Sequence, residues 1–265
     1  MVIPLSVVAL LIALDRPSSR PAPRPSGSSE TSTEPTARPS RRPPPPSPDS
    51  DAAYAFTFVH DDGHPVRWNP CAPIRYVVNL DGAPTSALPD ITEAFARLTA
   101  ATGINAEYDG PTDEVPTAAR EPYQSERYGD EWAPVLIAWV GADETDIAFE
   151  ESTSGAASPT AVRKRSDGEL VYVTGEVALN TGNDHGSGFD TADSWGVVIL
   201  HELGHIVGLA HVDDRAQLMY RESSEGVVAF AAGDTAGLRQ LGREAGCLTT
   251  PAPTEVDLEV IETPA

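Results

Sequence analysis

Four side chains within eleven residues could do chemistry together: His201, Glu202, His205 and His211, in the run HELGHIVGLAH. On an α-helix, His201 and His205 are four positions apart and project from one face, one turn above the other. Two imidazole nitrogens then reach one ion. Glu202, next to His201, points to the side of that pair, where a carboxylate can hold a water without ligating the metal. Gly208 lets the chain leave the helix through a positive-φ turn closed to most other residues, and the turn returns His211 as a third ligand. Three neutral nitrogen ligands with an open fourth position describe a catalytic zinc; a structural zinc is closed, usually by thiolates. The competing reading is a helix with surface histidines. The apolar filling of Leu203, Ile206, Val207 and Leu209 argues instead for a buried helix that carries a site.

These residues need a frame. Residues 74–80 alternate and are β-branched, which predicts a strand. Ile91, Phe95 and Leu98 at helical spacing predict a helix over 90–101, with Asp90 as N-cap and Gly103 beyond its end. A short strand is expected at 104–108. The continuous apolar run 135–140 suits a central, buried strand. Segments 161–165 and 170–179 bracket Asp167-Gly168, a hairpin signal. The helix carrying the histidines is expected over 194–207, and a last helix near 235–242.

HExxHxxGxxH followed by a methionine, Met219, eight residues after His211 resembles the metzincin metallopeptidases and their Met-turn. The local run Gln217-Leu218-Met219-Tyr220 is similar to the matrixin branch, in its bacterial type, whose turn commonly reads Leu-Met-Tyr. Serralysins and astacins place a tyrosine where Arg221 stands. Gly233-Asp234-Thr235-Ala236-Gly237-Leu238 resembles the matrixin C-terminal helix, in which Asp234 would steady the Met-turn. Gly233 stands where animal matrixins usually carry a second acid.

The resemblance implies an α+β, metzincin-like fold: a mixed twisted sheet, an active-site helix and a small, mainly helical C-terminal subdomain. It further implies one catalytic Zn2+ held by His201, His205 and His211, Glu202 as general base, and a protein or peptide substrate. The cleft would lie beside an edge strand at 170–179, to which an extended peptide could pair. In matrixins the S1′ wall follows the Met-turn, here Tyr220, Arg221 and a polar stretch to Gly226. Either Arg221 faces solvent beside an apolar pocket, or its guanidinium stands at the pocket mouth and pairs with an acidic P1′ side chain. The structural zinc and calcium loops of matrixins would precede the active helix. Asp184, His185, Asp190 and Asp193 could take Ca2+ there, although loops of Asn, Asp and Gly are normally just turns. Two other functions stay open, an amidase acting on wall peptides and a non-catalytic peptide-binding module. The module would need a lost ligand or base, and none is lost.

The remaining segments bear on location and partners. Residues 1–14, MVIPLSVVALLIAL, are apolar and uncharged. As a helix they would span about 21 Å against a hydrocarbon core of roughly 30 Å, which suits an export signal or membrane anchor. Residues 15–51 are rich in Pro, Ser, Arg and Thr and predict an unfolded, partly polyproline II spacer. One domain follows over 52–248, then an acidic tail over 249–265 that is expected to be disordered. The chain carries a formal net charge of −22, which argues against nucleic acid and anionic membrane surfaces as partners. Membrane contact is expected only through the N-terminal segment, and the domain is expected to be a monomer outside the cell or at its surface. The two cysteines, Cys71 and Cys247, near the ends of the domain, suggest one disulfide in an exported protein. The alternative is a cysteine switch, but Trp68-Asn69-Pro70-Cys71-Ala72-Pro73 does not match the matrixin pro-segment pattern.

Overall fold

The computed structural model describes residues 54–149, 153–165 and 167–261, with side chains in the final strand described only at Val256. Segment 1–14 and spacer 15–51 lie outside the described residues. In chain order the elements are β1 (Ala55–Phe56), β2 (Ile74–Asn79), α1 (Ala87–Thr102), β3 (Ala106–Pro111) and α2 (Ser125–Tyr128). They continue with β4 (Val135–Val140), β5 (Gly155–Lys164), β6 (Leu170–Asn180), α3 (Trp195–Val207), β7 (Leu209–Ala210), α4 (Ala232–Leu241) and β8 (Val256–Ile261). No described helix is long and apolar enough to cross a membrane.

Six strands form one sheet in the order β3-β2-β4-β6-β5-β8. Strands β2, β3, β4 and β6 are parallel, whereas β5 runs antiparallel to β6, and β8 to β5. The unbroken apolar run of β4 is explained by burial on both faces. Ile137 and Trp139 join Tyr76, Val78, Val177 and Leu179 in the core under α1 and α3. Leu136 and Ala138 point the other way, with Val77, and are covered by Tyr128 of α2. Helix α1 contributes Ile91, Phe95 and Leu98 to the first core, the three residues whose spacing predicts it.

The second face is closed by a polar clamp. The buried Arg120 guanidinium donates to both Glu114 oxygens at 2.8 and 3.0 Å, to Thr174 Oγ1 and the Gly175 carbonyl at 3.0 Å, and to the Pro134 carbonyl at 2.9 Å. Burial pushes the Glu114 carboxyl up, but Arg120, Tyr128 and Gln124 outweigh it and hold the group below its ordinary range. All five donors of a buried arginine are thereby used, which binds the loop before β4 to the sheet.

Three expectations need correction. Helix α1 starts at Ala87 with Ser86 as N-cap, one turn before Asp90. Asp90 is turned inward, where its carboxylate accepts a bond from the Gly188 amide at 3.0 Å. The hairpin partner at 170–179 is β6, an inner strand; β5 and then β8 lie outside it. The tail from 249 is not wholly disordered. Its residues 256–261 pair with β5, Val256 is buried, and Pro251 accepts a hydrogen bond from Trp132 Nε1 at 2.7 Å. The alternation Val256, Leu258, Val260 carried that strand signal, masked by the acids between them.

A disulfide joins Cys71 to Cys247 across 176 residues. The Asn69 side-chain oxygen accepts from the Cys71 amide at 3.1 Å and the Leu248 amide at 3.2 Å, and so fastens both sides of the bridge.

Candidate metal centre and cleft

Helix α3 is buried along nearly its whole length, so its histidines are placed by packing on both flanks. Its C-terminal cap is Gly208 at φ 111°, a conformation that favours glycine, and the turn leads through β7 to His211. Strand β7 pairs with β1, with Leu209 opposite Phe56, which anchors the return.

The His201 Nδ1 lies 2.7 Å from the Leu218 carbonyl and His205 Nδ1 lies 2.8 Å from the Leu209 carbonyl. A carbonyl only accepts, so each Nδ1 carries the proton and each Nε2 presents a lone pair. The Nε2 atoms of His201, His205 and His211 converge with mutual distances of 3.2, 3.1 and 3.1 Å. Lone pairs so close repel unless a cation lies between them. Tetrahedral ligands at about 2.0–2.1 Å from zinc stand about 3.3–3.4 Å apart, so the triad fits zinc with a position left open. Burial pushes the His201 ring down to about 4 and the His205 ring well below its ordinary value, which keeps both neutral and able to ligate.

Glu202 is buried beside the triad, and β5 passes its carboxyl at Gly155. Burial pushes that carboxyl up to about 8.

Met219 is buried against α3 at Gly204, and the turn carrying it is locked to α4 in both directions. Asp234 accepts from the Leu218 amide at 2.7 Å, the Met219 amide at 3.3 Å and the Ala231 amide at 2.9 Å. In return, the Gln217 side-chain oxygen accepts from the Gly233 amide at 2.8 Å and the Asp234 amide at 3.2 Å. The part of Gln217 is not readable from sequence, where it is one polar residue in a turn.

A cavity open to solvent adjoins Glu202 and His201. Its walls include Val197, Val198, Leu218 and Val227, and its polar lining includes Glu222, Ser223 and Ser224. Neither Tyr220 nor Arg221 lines it. Tyr220 bridges back to Val212 and lies under the Arg215 guanidinium, 4.8 Å from its ring centre. Arg221 is exposed, on the side of His211, whose ring is pushed down by burial and then by this positive charge. The chain thus lines the cavity at Gln217 and Leu218, leaves it at Tyr220 and Arg221, and returns to it at Glu222.

In the loop 181–193, His185 and the acids do not bring three ligand atoms within 4.8 Å of one another. His185 Nε2 bonds Ser154 Oγ at 2.8 Å and its ring stands edge-on to Trp195. Among the described residues, the three histidines are the group of His, Cys, Asp or Glu whose ligand atoms all lie within 4.8 Å of one another. The calcium expectation finds no support there.

A mixed sheet under a helix that bears HExxH, a glycine turn to a third histidine and a methionine turn packed against that helix together give a matrixin-like, metzincin-type arrangement. Residues 123–242 match the matrixin family model, Peptidase_M10, and the chain carries a matrixin-like domain. No curated protein matches the chain.

Proposed function

We propose that the chain is an exported zinc-dependent endopeptidase with Glu202 as general base. The observation that carries this reading is the Glu202 carboxyl, buried and beside three imidazole lone pairs that converge on one point. His201, His205 and His211 would hold zinc through those nitrogens, and the ion would supply Lewis acidity towards a water and a scissile carbonyl. Glu202 takes the proton of the attacking water and returns it to the departing amine. His201 and His205 are held in the ligating tautomer by the Leu218 and Leu209 carbonyls. An extended substrate would pair with the outer edge of β5 near Gly155, where that strand passes Glu202, and not with β6. Export is supported by the Cys71–Cys247 disulfide, which persists in oxidising compartments, together with the apolar segment 1–14.

The test is zinc content measured beside hydrolysis of casein and of isolated peptidoglycan. Glu202→Ala should abolish hydrolysis yet retain about one zinc per chain, and His205→Ala should lose the metal as well. An active Glu202→Ala would remove the base assignment. Release of wall peptides without casein cleavage would favour the amidase.

A further inference from the structure

Among the polar residues lining the cavity beside Glu202 are Glu222 and Ser224. Most of its polar lining is engaged elsewhere. The Gln217 amide nitrogen donates to Asp214 at 2.8 Å, and its oxygen accepts from the amides of Gly233 and Asp234. Ser154 Oγ is bonded to His185, and the Thr153 carbonyl accepts from Asn180 and Asn183 at 3.0 Å each. The Ser224 hydroxyl differs: its oxygen is buried and has no hydrogen-bond partner. Two residues before it, Glu222 adds a carboxylate on the solvent side, with Arg215 as a loose partner at 3.8 Å between two exposed side chains. A buried hydroxyl without a partner keeps a desolvation cost that an entering polar group would relieve.

The walls decide what that entering group must look like. Val197, Val198, Leu218 and Val227 offer apolar surface to a side-chain stem, while Glu222 offers a loosely paired carboxylate and Ser224 an unpartnered hydroxyl. A long aliphatic stem with a cationic, donor-bearing tip satisfies both. The net charge of −22 favours cationic substrates at long range as well. Resting on the peptidase reading above, we infer that Glu222 and Ser224 select lysine or arginine as the substrate residue after the scissile bond. Glu222 supplies the charge, and Ser224 accepts one of the donor hydrogens. Both are specificity determinants and take no part in the proton transfers.

The test compares peptides identical except for lysine, arginine, norleucine, leucine or glutamate at that position. Norleucine keeps the lysine stem without its charge. The wild-type chain, loaded with zinc, should cleave the lysine peptide about tenfold or more better in kcat/KM than the norleucine peptide. Glu222→Gln should bring that ratio close to one, Ser224→Ala should lower it in part, and Glu222→Lys should invert it towards glutamate. Zinc content and thermal midpoint identify any variant whose fold has changed. Binding of the same peptides to Glu202→Ala, followed by calorimetry, should show the same order. Equal or better cleavage of norleucine or leucine by wild type, or a lysine preference unchanged in Glu222→Gln, would overturn the inference. If no peptide is hydrolysed at all, the peptidase reading fails, while the binding order still decides the preference of the cavity.

Discussion

The sulfur of Met219 lies 2.5 Å from where a Cβ on Gly204 would stand. The glycine between Glu202 and His205 therefore opens the underside of α3 to the methionine turn. A larger residue there would press that turn away from the helix. The turn also supplies the Leu218 carbonyl that orients His201, so packing and ligand geometry are joined.

Gly204→Ala should accordingly lower stability by roughly 1–3 kcal/mol, the usual cost of overpacking a core, and weaken zinc binding as well. Methionine is adaptable, so Met219→Ala in the same chain should recover part of the loss. Chemical denaturation and metal titration of both single variants and the double would show it. Additive losses would mean that the two residues are not coupled.

Asp234→Ala should cost at least about 3 kcal/mol, because three amides lose their acceptor in a buried place. Zinc affinity should fall too, since the Leu218 segment is released. Gln217→Ala should show a smaller loss of the same kind. Zinc affinity unchanged in Asp234→Ala would separate the turn from the metal centre.

Reduction of Cys71–Cys247 should lower the thermal midpoint without raising activity. A closed loop of 176 residues corresponds to about 5 kcal/mol in the chain-entropy account, an upper figure. Thermal scans with and without reductant test the first part. Activation by a thiol-blocking mercurial would contradict the second.

Glu176 gives a pH dependence of defined sign. Burial, opposed by Arg120, pushes its carboxyl up to about 7 from an ordinary 4.5. Between those values the folded chain keeps a proton that the unfolded chain has released. The contribution to stability is full below about 4.5 and declines as pH rises to about 7, by about 3 kcal/mol at roughly 1.4 kcal/mol per pH unit. Glu176→Gln can still accept from the Thr117 amide and should lack this decline, so it should be the more stable form at pH 8. Denaturation of both chains at pH 5 and pH 8 measures it. Parallel curves would show that Glu176 does not titrate in this range.

What could be read in the sequence is what local spacing controls. The i, i+4 pair on α3, the glycine exit and the return of His211 follow from helix geometry over eleven residues, whatever the rest of the chain does. The burial of β4 and the helical stripe of α1 follow in the same way from periodicity. Tertiary structure decided the contacts between residues far apart in sequence. The Gln217 side chain holds the Gly233 and Asp234 amides, the Asp234 carboxylate holds those of Leu218 and Met219, Arg120 gathers groups from three segments, and β8, whose alternation marks a strand, finds its partner in β5. Asp90 has the composition of a cap, yet an amide 98 residues away claims it. Each outcome depends on which donor meets which acceptor once water is excluded, and no period in the sequence encodes that choice.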